Sequence, residues 1–323
     1  MLGSTLAIFG VLFAIFFAVA VKDVLTAKKK RIRYNYKNCI VSYGMLLPAV
    51  ILGFIFVLLP IIYSLGYAFT DFYLLKPNDI DVDFTNFKKI YDSIVTKGDM
   101  YNAIRNTSIF VVGVVPLQIG MALGLALFVN RTKPLVGVFK ICYFAPVVIS
   151  LTITSYLWLQ ILSPSESSLL NSILKIFGQE PKDVLRDKKK AMLWIVIMSA
   201  WQGCGYQMLI FLSGLTNIRK ELYEAASLDG ANAFRKFLNV TCPGLRSTFL
   251  FVVITVFVGA CRIMVQPMLM TGYQSHTVTL SYYMYVQGYS YRLVGYSSAV
   301  ALLMTIVMGS ITLVQRRLLR EKN

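Results

Sequence analysis

Seven long apolar stretches leave this chain few ways to fold: Leu6–Val21, Tyr43–Phe69, Ile104–Val129, Leu135–Leu162, Ala191–Leu215, Thr248–Met270 and Val294–Val314. About 20 apolar residues match the hydrocarbon thickness of a bilayer, where every peptide group needs an internal partner, so each stretch is expected to cross as an α-helix. The predicted class is an all-α polytopic membrane protein. Composition agrees, with 15% charged residues against roughly a quarter in soluble domains. A formal charge of +17 fits nucleic acid in the abstract, but here the basic residues gather in short segments between spans, where they set topology. No nucleic-acid partner is expected.

Charge also fixes the expected orientation. With the N-terminus outside, segments 22–38, 130–140 and 216–246 and the tail from Gln315 face the cytoplasm. They hold nineteen of the 32 Lys and Arg but five of the 15 Asp and Glu. Lys188, Lys189 and Lys190 run against this, and Glu180, Asp183 and Asp187 partly offset them. The basic cluster after Leu6–Val21, from Lys22 to Lys37, lies on the wrong side of the apolar run for a signal peptide, so residues 1–21 are expected to remain as an extra transmembrane helix. The expected organisation is that helix, a basic linker 22–40, a first core helix with an external loop 41–100, a core 101–315 and a basic tail 316–323. The five cysteines have no metal or redox spacing and read as small apolar residues.

The segment ELYEAASLDGANAFRKFLNVTCP, Glu221 to Pro243, carries too much charge for hydrocarbon and must lie in water. Its spacing predicts a short amphipathic helix to Asp229, a stop at Gly230 and a second helix from Asn232 to Val240. Such a loop has an apolar face without a partner of its own and reads as a docking element. Glu224, Ala225, Ala226, Asp229, Gly230, Phe234 and Pro243 resemble, in type and spacing, the EAA loop of the membrane subunits of bacterial ABC importers. The surrounding residues look most like the carbohydrate, maltose-permease-like branch, with Val240 and Cys242 in place of the usual Ile and Leu. Further stretches resemble it too, among them residues 46–72, 106–130 and 295–303, over about residues 40–320.

That resemblance implies a type I, MetI-like core of six helices in the cell membrane. It implies a second, similar permease subunit, two ABC ATPases that hold ATP and Mg, an extracellular solute-binding protein and a carbohydrate cargo. It also implies that the loop enters a cleft on the ATPase. The chain itself has no GxxxxGK[ST] phosphate loop and no catalytic set, so neither enzymatic activity nor a bound cofactor or metal is expected of it. The stretches as drawn contain no Asp or Glu, which argues against ion coupling.

A sugar path calls for aromatic rings and neutral polar groups in an apolar bundle. The fifth stretch offers Ser199, Trp201, Gln202, Gly203, Tyr206 and Gln207, with Ser199, Gln202 and Tyr206 on one helical face. In the resemblance, Ser199, Trp201 and Tyr206 fall on substrate-binding positions. Packing is an equal alternative for the two aromatics. In the sixth stretch Arg262 and Gln266 are placed one helical turn apart beside Pro267, with Arg262 facing a cavity or snorkelling to the headgroups. Gly272-Tyr273-Gln274-Ser275 departs from the family's glycine-glycine-proline after this span. The single histidine, His276, reads as a surface residue.

Overall fold

The computed structural model describes residues 36–75, 84–130 and 136–319, together with Lys22 and Val82. The expected helix 1–21 and, Lys22 apart, the linker up to residue 35 lie outside the described residues, as do 131–135 and 320–323 of the tail. We number the α-helices α1 (Tyr36–Gly53), α2 (Leu59–Tyr67), α3 (Thr85–Val95), α4 (Asp99–Val129), α5 (Val136–Val148), α6 (Leu151–Ile161), α7 (Leu169–Ile176) and α8 (Ala191–Thr216). They continue with α9 (Lys220–Leu228), α10 (Ala233–Lys236), α11 (Cys242–Gly244), α12 (Arg246–Cys261), α13 (Val265–Met270), α14 (Leu280–Tyr285) and α15 (Val294–Leu319). Among the described residues one isolated β-bridge, Thr70 to Val82, is the only strand-like pairing.

Prolines shape the crossings. The first described span runs unbroken through α1 and α2 by way of a π turn, Phe54–Leu58. Pro60 has no N–H to donate and its ring crowds the carbonyl four residues back, which the wider turn relieves. The same device recurs at Phe237–Thr241, two residues before Pro243. Pro146 lies in the last turn of α5, and α6 then departs at 98°.

Two expected single helices are therefore broken. Residues 135–162 are the bent pair α5 and α6. Residues 248–270 are α12 and α13, separated at Arg262–Met264. Pro267 sits in the first turn of α13, where its missing N–H costs nothing, so the break falls upstream of it. Hydroxyls satisfy the carbonyls freed there: Thr279 Oγ1 donates to Ile263 O at 2.7 Å and Ser281 Oγ to Cys261 O at 3.4 Å. Among the described residues four helices are long and apolar enough to cross a membrane, or up to six crossings if each of two bent pairs is one span: Gly137–Val148 with Leu151–Ile161, and Ala233–Gly244 with Arg246–Cys261, which meet at 69°.

The core is built on α4 and α8, which pack along more of their length than any other pair. They run parallel, since Gly113 faces Val196 and Gln118 faces Gly203 farther along. The connections sort onto two ends of the bundle. At one, Asn106 Nδ2 donates to Ser275 O and Val278 O, both at 2.9 Å, Gly295 N donates to Phe72 O, and Leu162, Val184 and Leu185 cluster with Phe110. At the other, Val129, Leu215 and Leu245 share a cluster, so the loop from α8 to α12 emerges beside the end of α4.

Candidate functional site

Two features stand out: a polar cavity at mid-depth and a folded loop beyond the end of α8. The cavity, about 250 Å³, is bounded by α4, α6, α8, α12 and the break at 262–264. Its α8 residues, Ser199, Gln202, Gly203 and Gln207, straddle the middle of that 26-residue helix. Phe110, Val114 and Gln118 do the same on α4. Inside it, Gln118 Nε2 donates to Gln207 Oε1 at 3.0 Å, which leaves Gln118 Oε1 and Gln207 Nε2 as hydrogen-bonding groups. Gly203 is required here because the Gln118 amide occupies the space a Cβ would take.

Ser199, Gln202, Gly203, Arg262 and Gln266 all border this cavity. Arg262 and Gln266 are not one turn apart on a helix, as spacing alone placed them, because Arg262 ends α12 and Gln266 belongs to α13. The break nevertheless delivers both to the same space. Trp201 and Tyr206 do not border it. Trp201 lies on the opposite side of α8, its ring centroid 5.9 Å from that of Trp158, lining a separate space with Tyr143 and Pro146. Tyr206 is 48% exposed. Gln118, absent from the expected set, was signalled by an amide in an otherwise apolar helix.

The loop is built from its own caps. Helix α9 ends at Asp229, and Gly230 follows at φ +71°, a left-handed conformation natural to glycine. Ala231 N donates to Ala226 O and Gly230 N to Ser227 O, the paired bonds of a Schellman stop. The Asn232 side chain then accepts from Arg235 N at 2.9 Å and starts α10. Tyr223 Oη lies 2.9 Å from Thr241 Oγ1, and Lys236 Nζ donates to Ser227 Oγ at 2.7 Å, tying the two halves together. Outward, Leu228 is 91% and Phe234 67% exposed. Glu224, Ala225, Asp229, Gly230 and Pro243 are exposed as well, and Ala226 is half-buried.

Elsewhere, His276 is half-buried rather than a free surface residue. Its Nε2 is buried without a hydrogen-bond partner among the described residues. Burial, with Lys188 nearby, holds its pKa below the ordinary histidine value, and Asp187 opposes this. Asp99 opens α4, so one carboxylate does sit in the first turn of a span, where the helix dipole favours it.

The family model for binding-protein-dependent transport system inner membrane components matches residues 10–320. The chain is 29% identical over 288 residues to the arabinooligosaccharides transport system permease protein AraP of Bacillus subtilis, covering 88% of this chain and 90% of that one. It is 30% identical to the lactose transport system permease protein LacF of Rhizobium radiobacter, covering 85% and 92%. Its fold matches a bacterial alginate ABC transporter, crystallised with an alginate pentasaccharide-bound periplasmic protein, at TM-score 0.77 and 23% identity, over 88% of this chain and 95% of that one.

Proposed function

The chain belongs to the family of binding-protein-dependent transport system inner membrane components, and from that premise we propose that it is the transmembrane subunit of an ATP-driven importer for an oligosaccharide. The observation that carries the coupling half of this reading is the capped loop with Leu228 and Phe234 open to water. Leaving side chains of this size exposed costs about 1.5–3 kcal/mol each relative to burial, so a partner surface is the economical explanation.

In this reading the loop faces the cytoplasm and seats one of two ABC ATPases, each of which hydrolyses ATP with Mg. The excess of Lys and Arg in segments 22–38, 130–140 and 216–246 supports that orientation, with the N-terminus outside and the C-terminus inside. Gathering of segment 216–246 and the end of α4 at one end of the bundle is consistent with it. Sugar arrives from an extracellular binding protein. The cavity, at about 250 Å³, falls below the usual 300–1,000 Å³ of small-molecule sites, so a second, homologous permease completes the pathway. Arabinooligosaccharide and lactose permeases among the relatives support a carbohydrate cargo, as do the amides of Gln118, Gln202, Gln207 and Gln266 for sugar hydroxyls.

Alternating access follows. ATP closes the ATPase pair, the two loops move together, and the bundle opens outward to receive sugar at mid-depth. Energy enters by the loop and not through an ion, since within the described spans Asp99 at one helix start is the only carboxylate.

The test is uptake of a labelled pool of neutral and acidic oligosaccharides into proteoliposomes holding the complete complex with its binding protein. Uptake is expected to require ATP and to continue when ionophores collapse all ion gradients. Uptake that stops with the ionophore, or proceeds without ATP, would overturn the proposal.

A further inference from the structure

We propose that the transported oligosaccharide is acidic and that Arg262 binds its carboxylate. This rests on the carbohydrate-importer reading above and specifies the cargo of the same cavity. Among the described residues that line it, Arg262 is the one ionised side chain. Among the described residues its guanidinium makes no hydrogen bond and no ion pair, so five N–H donors face outward from the protein's own structure.

Position makes this costly. Arg262 follows the 16 residues of α12, about 24 Å along the axis at 1.5 Å per residue, against a hydrocarbon core of about 30 Å, and its side chain is exposed at the open side of the cavity. It shares its cavity with the mid-helix residues Ser199 and Gln207. A cation at such depth persists where water or an opposite charge meets it. The neighbouring glutamines supply dipoles but no counter-charge. The break at 262–264 also holds the residue in place, because Thr279 and Ser281 anchor the carbonyls on either side. What the cavity lacks is an anion, and what its amides recognise is hydroxyls. A sugar with a carboxylate answers both, and the planar guanidinium matches a carboxylate in two parallel hydrogen bonds.

Two other occupants of the guanidinium are outcomes of the test: a phosphate in place of a carboxylate, and an acidic side chain of the second permease. The probes are oligouronides from alginate and pectin digests, the same digests after carboxyl reduction, and glycerol phosphate. Uptake is measured into proteoliposomes of the complete complex. Native complex is expected to import oligouronides, and Arg262→Gln to reduce that import at least tenfold. Arg262→Lys should retain part of it, and in Arg262→Gln the ratio of oligouronide uptake to reduced-sugar uptake should fall at least tenfold. The inference is overturned if the native complex imports only reduced sugars or only glycerol phosphate, or if Arg262→Gln imports oligouronides as the native chain does. It is overturned equally if Arg262→Gln releases the second permease on purification, since the arginine then pairs between subunits. Import of neutral sugars alone leaves the importer reading standing; import of no sugar with ATP present removes both.

Discussion

Replacing Gly230 with leucine is expected to reduce import at least tenfold while the chain still inserts and accumulates in the membrane. Among the described residues nothing lies within 4 Å of where the new Cβ would be, so crowding is not the reason. The reason is the backbone. At φ +71° an L-residue costs about 1–2 kcal/mol, enough to shift the Schellman stop to another geometry and turn α9 relative to α10. Leu228 and Phe234, on either side of Gly230, would then no longer present one surface. Asparagine tolerates the left-handed region, so Gly230→Asn should keep a substantial part of the activity. Uptake per unit of membrane-inserted protein is the measurement. Full activity in Gly230→Leu would mean that the loop's shape does not matter.

Gly205→Val is expected to fail at an earlier stage, in folding. A Cβ at this position would overlap the carbonyl oxygen of Tyr143 and lie 3.1 Å from Phe144 Cα. Both are backbone atoms of α5, so no side-chain rotation relieves the clash, and α5 must move off α8. Ordinary overpacking costs about 1–3 kcal/mol, and moving α5 off α8 also opens the apolar cluster in which Tyr143 packs against buried residues that include Met208 and Phe211. Size-exclusion chromatography of the detergent-solubilised chain should show aggregate where the native protein gives one peak. Gly203→Ala is the contrasting case, because its new methyl meets the Gln118 side chain, which can swing away. That variant should fold, lose the Gln118–Gln207 hydrogen bond and import poorly. A monodisperse Gly205→Val protein would show that α5 is not held against α8 as described.

The contrast between these glycines shows what a sequence reveals of such a fold. Spans are legible because hydrocarbon thickness and backbone satisfaction are general constraints, and 36–67, 99–129, 191–216 and 294–319 came out close to the apolar runs. The loop was legible for a different reason: caps are local chemistry, so Gly230 and Asn232 announce their own roles. Breaks within spans were not. Pro267 marks a disturbance, yet the chain bends at 262–264, because where a proline-bearing helix restarts depends on which hydroxyls can take the freed carbonyls, and Thr279 and Ser281 lie elsewhere in sequence. Helical spacing grouped Ser199, Gln202 and Tyr206 on one face but could not say where along it the cavity ends. It could not show either that Trp201 packs beside Trp158. Gln118 was missed because its partner Gln207 is 89 residues away.

The central claim is that the exposed loop seats a separate nucleotide hydrolase, and co-purification tests it most directly. A tagged chain would be extracted in mild detergent from cells that produce the whole transporter, native and with Leu228→Asp and Phe234→Asp together. The native chain is expected to bring down a nucleotide hydrolase in equal amount to the permease pair, and the double variant at least tenfold less, with its own yield and monodispersity unchanged. A native complex without any hydrolase, or a double variant that holds it as tightly as the native chain, would contradict the account.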